Sequence, residues 1–438
     1  MRKDWVEVEL GEIFKIVSGS TPSGLQVVAN QGNIPFYKVS DMNHVGNEVY
    51  MKKSNILLTS DEFKKLKLRS YPKGTVIFPK RGGAILTNKK RVLFQDSAFD
   101  LNLMGILPLE YVDNDYLFFW FQKLDLGRIY DGSNVPQINN KNVFPLKFQL
   151  SPLPEQRAIV AKIEALFSEL DSGIQNLKTA QAQLKVYRQA VLKKAFEGGF
   201  TNDDVREGEL PKGWSVKRVG EICDCIVPNR DKPKTFTGDI PWITTPDLQE
   251  ESINIEYSKI DKGLSKEEAV AYKAKVIPVN SVIMTCVGNF GVTAIVEFES
   301  VINQQLHAFL PSDKVLPKYL AYSLKTQKVY MNTVSTSITI AYLNKKNCNS
   351  VPINIPASIK EQTQIVQEIE SRLSVCDKME ESITESLLKA EALRQSILKK
   401  AFEGKLLSEA ELAACRKEAD WEPAGKLVER VRKEVKRV

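Results

Sequence analysis

The sequence predicts an α+β chain built as an internal repeat, in which two similar mixed α/β modules are each followed by one long helix. Three observations predict this. Residues 155–198 return 206 positions later as 361–404, with QAVLKKAFEG at 189–198 and QSILKKAFEG at 395–404 identical at eight of ten positions. Each copy carries apolar residues at steps of three and four, the signature of a heptad seam. Each copy also follows a domain-sized segment with the same opening, Trp5 to Leu10 before Gly11-Glu12-Ile13 and Trp214 to Val219 before Gly220-Glu221-Ile222.

Taken in order, Val6, Val8 and Leu10 alternate as an opening strand that ends in a turn, and Val216 and Val219 do the same in the second module. Asn33-Ile34-Pro35-Phe36 matches Asp239-Ile240-Pro241-Trp242 as a second strand start. The apolar runs 74–78 and 280–284 then empty into polar, glycine-bearing loops, Pro79-Lys80-Arg81-Gly82-Gly83 and Thr285-Cys286-Val287-Gly288-Asn289. Helices are expected at 116–124 and 319–326. The first module occupies 1–153 and the second 211–357, with the long helices at 154–200 and 358–404, a polar linker at 201–210 and a helical tail at 405–438.

In the first long helix the seam reads Ile159, Ile163, Leu166, Leu170, Leu177, Leu184, Tyr187 and Val191, with Gly173 and Ala180 as small members. In the second it reads Ile365, Ile369, Met379, Ile383, Ala390, Leu393 and Ile397. A heptad stripe alone fits an ordinary bundle as well. Two copies, each after a domain-sized segment and each about 66 Å long at 1.5 Å per residue, make struts the better reading.

Composition narrows the function classes. No window approaches a membrane span and no hydrophobic stretch follows Met1-Arg2-Lys3-Asp4, so neither a span nor a signal peptide is expected. Six dispersed cysteines form no disulfide framework and point to a reducing cytoplasm. The net charge of +7 lies entirely in the modules: residues 1–150 hold 20 basic against 15 acidic residues and 208–356 hold 17 against 15, while both helical segments are neutral. Such placement suits modules that approach a polyanion.

Catalytic motifs are weak. Asn33-Ile34-Pro35-Phe36 resembles an amino-methyltransferase signature but has isoleucine for its first proline, and no glycine-rich turn for S-adenosylmethionine accompanies it. The acidic residues Asp247, Glu250 and Glu251 lack the lysine of a nuclease, and Gly288-Asn289-Phe290-Gly291 lacks the Lys-Ser/Thr of a phosphate loop. With only His44 and His307, neither a catalytic triad nor a zinc site at Cys223-Asp224-Cys225 is persuasive.

The pieces Pro152-Leu153-Pro154-Glu155-Gln156 with Ile159-Val160, the repeated Leu-Lys-Lys-Ala-Phe-Glu-Gly endings, and Trp421-Glu422-Pro423-Ala424 with Leu427 and Arg430 together resemble the specificity subunits of type I restriction-modification enzymes. The second copy departs from the pattern, with Ala357-Ser358-Ile359-Lys360 where the first has Ser151-Pro152-Leu153-Pro154. The resemblance implies two target-recognition domains, separated by two long helices conserved in that family that pair as an antiparallel coiled coil about a pseudo-two-fold axis. Each domain would read half of a bipartite target in double-stranded DNA. The chain would be non-catalytic and bind no cofactor. Two methylation (M) subunits, with S-adenosylmethionine and adenine-N6 chemistry, and ATP- and Mg-dependent restriction (R) subunits would be its partners. An appended-domain methyltransferase or endonuclease, or a coiled-coil scaffold, are the alternatives.

For DNA contacts the loops after the matched strands are the expected readers. These are Lys80, Arg81, Lys89, Lys90, Arg91, Ser133, Asn134 and Gln137 in the first module, and Thr285, Asn289, Thr336 and Ser337 in the second. Arginine pairs bidentately with guanine and Asn or Gln with adenine, whereas lysines suit phosphates. Helix length is expected to set the gap, so that a heptad inserted within 170–190 changes the spacer and neither half-site.

Overall fold

The computed structural model describes residues 2–25, 30–202, 205–206, 208–228, 232–336 and 340–435. They form two compact units, Met1–Asn176 with Ser386–Val438, and Leu177–Glu385. The long helices, Leu153–Phe196 and Ile359–Phe402, are 44 residues each, and each contributes one part to each unit.

In the first unit the opening strand Val6–Glu9 pairs antiparallel with the module's last strand Lys147–Leu150, tying its two ends together. A five-stranded sheet follows, in the order Ile16–Ser18, Leu103–Ile106, Val76–Pro79, Arg91–Leu93 and Tyr50–Met51. A smaller one has Ile34–Tyr37 between Leu57–Leu58 and Ala98–Phe99. Val76–Pro79 is buried along its whole length, as its unbroken apolar run requires. The helix Asn114–Gln122 is apolar on nearly every side and lies inside the core. Asp113 caps it by accepting hydrogen bonds from the Asp115 and Tyr116 amides at 2.9 and 3.0 Å.

The second unit repeats the plan. Trp214–Arg218 pairs antiparallel with Pro352–Pro356, and two four-stranded sheets are built around Val282–Thr285 and Ile240–Ile243.

The repeated Glu-Gln pair at each helix start has a structural reason. The Trp5 indole N–H donates to Glu155 at 2.7 Å, and that of Trp214 to Glu361 at 2.9 Å. Gln156 accepts from the Asp113 amide at 2.8 Å, and Gln362 from the Leu316 amide at 2.9 Å, which fixes the start of each module's core helix. The Tyr116 and Tyr319 hydroxyls donate to the carbonyls of Gln149 and Asn354, each at 2.7 Å. Their rings meet Phe402 and Phe196 edge-on. The shared Phe-Glu-Gly endings are helix caps. Gly198 and Gly404 take positive φ, and the next amides, of Gly199 and Lys405, return to Lys194 and Lys400 at 3.0 and 2.8 Å.

Within each unit the two helix segments run antiparallel. In the first, Ile159 and Ile163 share a cluster with Ile397, Leu398 and Phe402, and further along Arg394 pairs with Asp171 and lies 4.4 Å over the Phe167 ring. In the second, Val191 clusters with Ile365 and Ile369, and Arg188 pairs with Asp377 at 2.6 Å and Glu380 at 3.1 Å. Ile383 is buried, and Leu166, Leu170, Leu177 and Leu184 are half-buried. Two expected seam residues are misplaced, Met379 and Leu393, 52% and 51% exposed, while Tyr187, 45% exposed, meets the opposite helix at Arg372 from the rim of the seam. The seam runs one residue later, through Arg188, Glu380 and Arg394. The Arg394 guanidinium stacks on Phe167 while meeting Asp171, and the largely buried Arg188 meets Asp377 and Glu380, so a polar residue holds a seam position that an apolar count assigns to its neighbour.

The tail packs in the first unit. Leu412, Cys415, Leu427, Val428 and Val431 are buried, and the Ala424 amide donates to the Asp4 carbonyl at 3.0 Å. Arg157 pairs with Glu418 and Asp420, Arg416 with Asp4 and Arg432 with Glu12. These pairs lie in solvent, which screens them, whereas each fully buried aliphatic side chain contributes about 1.5–3 kcal/mol, so apolar burial holds the tail. The stretch around the expected linker 201–210 is also packed in part. Phe200 and Leu210 lie on the second unit's core, and the Thr201 hydroxyl donates to Glu361 at 2.8 Å.

Candidate nucleic-acid interface

In the first module the strand Val76–Pro79 leads into Lys80-Arg81-Gly82, which pairs as a short ribbon with 136–138. The Gly82 amide donates to the Pro136 carbonyl at 2.8 Å and the Ile138 amide to the Lys80 carbonyl at 2.9 Å. Gln137 thereby lies opposite Arg81, and its carbonyl accepts from the Asp131 amide at 2.9 Å on the other side. In the second module the Gly288 amide donates to the Ala341 carbonyl at 3.0 Å and the Leu343 amide to the Cys286 carbonyl at 2.8 Å. Tyr342 lies between Val287 and Thr336 as Gln137 lies between Arg81 and Asp131. Gly82 and Gly288 both have left-handed backbones, with φ of 69° and 72°, where an L side chain is strained. One main-chain frame is thus built twice from segments more than 50 residues apart.

Of the expected readers, this frame joins Lys80, Arg81, Ser133, Asn134 and Gln137 in one module, and Asn289 and Thr336 in the other. Arg81, Ser133, Asn134, Asn289 and Thr336 are exposed. The Lys80 ammonium donates to the Ser18 hydroxyl at 2.8 Å, and burial, then the charge of Arg81, lowers its pKa. The Ser133 hydroxyl donates to Asp131 at 2.6 Å, and this bond holds the Asp131 carboxyl below its usual range. Lys89 lies apart, bonded to Asn43. Ser337 is outside the described residues.

Two expected readers, Lys90 and Thr285, are buried, and a third, Arg91, is half-buried. Lys90 is 0% exposed, with Nζ donating to Asn88 Oδ1 at 2.7 Å and to the Leu124 carbonyl at 2.5 Å. Arg91 sits in a strand and holds the carbonyls of Lys90 and Met42. Thr285 is buried and clamps a hairpin, donating to the Asn289 carbonyl at 2.5 Å and accepting from the Val292 amide at 3.1 Å. Basic or polar character at a strand end pointed outward; the packing behind the strand turned these side chains inward. The sequence reading also missed Tyr342, Ile340, Val135 and Leu86, all exposed near the ribbons or on adjoining loops. Its signal was the presence of large apolar residues in otherwise polar loops.

Lys90 supplies a pH prediction. Burial pushes its pKa down to about 8, as it does for Lys325, which donates to the Glu250 and Ser252 carbonyls. Below pH 8 both residues are protonated whether folded or not, and stability is unaffected by pH through them. Between pH 8 and about 10 the unfolded chain binds more protons, so these groups make stability rise with pH. Against them, the six thiols, all raised above the ordinary cysteine range by burial, make stability fall from about pH 8.5 upward, and buried tyrosines such as Tyr37, raised to about 12, add to the fall above about pH 10. Lys90→Met removes one of the lysine contributions, so its urea midpoint is expected to change more negatively with pH between about 8 and 10 than that of the wild type; an unchanged slope contradicts this.

Among the described residues, no group of three or more His, Cys, Asp or Glu could hold a metal ion. Two pairs stop short of one: His44 Nε2 lies 3.3 Å from Asp41 Oδ1, and Cys225 Sγ lies 3.9 Å from His307 Nδ1, where burial pushes the imidazole down to about 4 and the thiol up to about 11. No helix among them is long and apolar enough to cross a membrane.

Two modules closed by their own terminal strands, each followed by a long helix and each carrying the same ribbon, define a duplicated recognition protein. The type I restriction modification DNA specificity domain matches residues 2–179 and again 211–389, so the chain belongs to that family and carries two copies of its domain. It is 27% identical over 298 residues to the EcoBI specificity subunit of Escherichia coli, covering 63% of this chain and 61% of that subunit. It is 21% identical over 434 residues to the EcoDI specificity subunit of E. coli, covering 93% of this chain and 89% of that one. Among solved structures, a chain of a type I R-M system studied for complex assembly and conformational transition superposes with a TM-score of 0.73 at 21% identity, covering 93% and 99% of the two chains. The HsdS subunit from Thermoanaerobacter tengcongensis gives 0.57 at 20% identity, covering 93% and 98%. These likenesses show a shared fold.

Proposed function

We propose that this chain is the DNA-specificity subunit of a type I restriction-modification complex, with the ribbon of each module reading one half of a bipartite duplex target. The observation that carries this reading is the duplicated frame with unlike side chains: the same main-chain bonds hold Arg81 opposite Gln137 in one module and Val287 opposite Tyr342 in the other. Two readers of different half-sites need a common scaffold and different tips. Arg81, Asn134, Gln137 and Asn289 meet base edges, while Lys80 and Lys89 meet phosphates, positioning the module without specifying sequence. The long helices set the gap and dock two methylation subunits, and restriction subunits complete the assembly. S-adenosylmethionine, ATP and Mg belong to those partners, as does adenine-N6 transfer.

The test is co-expression with the neighbouring methylation subunit, followed by single-molecule sequencing of host DNA for modified adenines. A bipartite motif with a fixed gap, present only with both proteins, is expected. Methylation by this chain alone would make it an enzyme, and a confirmed complex that leaves DNA unmodified would make it a scaffold.

A further inference from the structure

The two ribbons share a backbone but differ in charge, and this difference bears on which bases they can read. In the first, Arg81 is exposed at the centre, beside the half-exposed Lys80. In the second, the corresponding positions are Val287 and Cys286, and neither 285–289 nor 340–343 contains a basic residue. What the second ribbon offers instead is Tyr342, 44% exposed, and Ile340, 63% exposed. Tyr342 is not a stray surface aromatic: its backbone is paired on both sides, to Thr336 and across to Val287, so its position is fixed by the frame.

Guanine presents two acceptors in the major groove and is read most often by arginine or lysine. Thymine alone presents a methyl group there, which is read by apolar contact. Resting on the function proposed above, we propose that the two ribbons divide readout by chemistry. The first takes a guanine through Arg81. The second takes thymine, packing Tyr342 and Ile340 against its C5 methyl group. Val135 gives the first ribbon an apolar contact too, so the discriminating element is the arginine that the second lacks.

The experiment uses the full chain, with the methylation subunit that confers its motif, on duplexes carrying both mapped half-sites. Each thymine of the second half-site is replaced in turn by deoxyuridine, which removes only the methyl group. At least one replacement is expected to weaken equilibrium binding about fourfold, the effect of one lost buried methyl. That penalty is expected to disappear in Tyr342→Ala, with the variant's fold checked by its unchanged response in the first half-site. In the first half-site, 7-deazaguanine removes the N7 acceptor. One such replacement is expected to weaken binding of the wild type but not of Arg81→Ala, and Arg81→Ala itself is expected to relax one guanine position by about 5- to 150-fold. A second half-site without thymine, or one in which every deoxyuridine is tolerated, overturns the inference while leaving the specificity function intact. Absence of any bipartite motif would instead remove the function on which it rests.

Discussion

Trp5→Ala is expected to destabilise the first module by about 3–5 kcal/mol, the usual effect of deleting a buried indole. Trp5 is buried and provides the hydrogen bond at 2.7 Å to Glu155, whose side chain is itself fully buried and whose other oxygen, Oε1, has no hydrogen-bond partner. Losing the indole leaves both a cavity and a carboxylate without a donor. Trp5→Phe separates the two effects, since it keeps most of the volume and removes only the donor. At the matched position Glu361 also accepts from the Thr201 hydroxyl and from Asn202 Nδ2, at 2.8 and 3.3 Å. Trp214→Phe is therefore expected to be milder than Trp5→Phe by about 1–2 kcal/mol, because an unmet buried donor or acceptor costs about 1–3 kcal/mol. Urea unfolding followed by the fluorescence of the remaining tryptophans would measure both, and equal losses would show that the extra donors at Glu361 contribute nothing.

Inserting seven residues into each long helix at matched heights, after Leu184 and after Glu381, is expected to abolish binding to the native target and create a preference for a longer gap. The positions follow the antiparallel register given by Arg188 with Asp377. Seven residues add about 10 Å of helix, or about three base pairs at 3.4 Å each. Both half-sites should be unchanged in the methylation map. A retained native gap would mean that something other than helix length sets the spacing.

The fold was legible because the chain states it twice. The 206-residue repeat exposed the modules, and the heptads exposed the helices. The precise seam was not legible. Tyr187 and Leu393 look like seam residues by polarity, yet each lies one position before an arginine that takes the place, and that choice depends on aspartates of the opposite helix, Asp377 and Asp171. The candidate interface was legible in outline, since Arg81 and Gln137 were both singled out, but nothing local indicates that 80–82 and 136–138 pair. Charge misled at Lys90 and Arg91, where long basic side chains satisfy internal carbonyls. It also hid Tyr342, because a search for bases read by polar groups passes over an exposed aromatic.

The packing of the tail has a consequence for synthesis. Trp5 and Tyr116 share their core with Ile397, Phe402, Leu412, Leu427 and Val431. The first module is thus made before the second but finished after it, whereas the continuous stretch Leu177–Glu385 has its own cluster complete before the tail is made. A premature stop shortly after residue 405 would therefore strike the module made earlier and spare the one made later. An incomplete product would present only one of its two modules fully built.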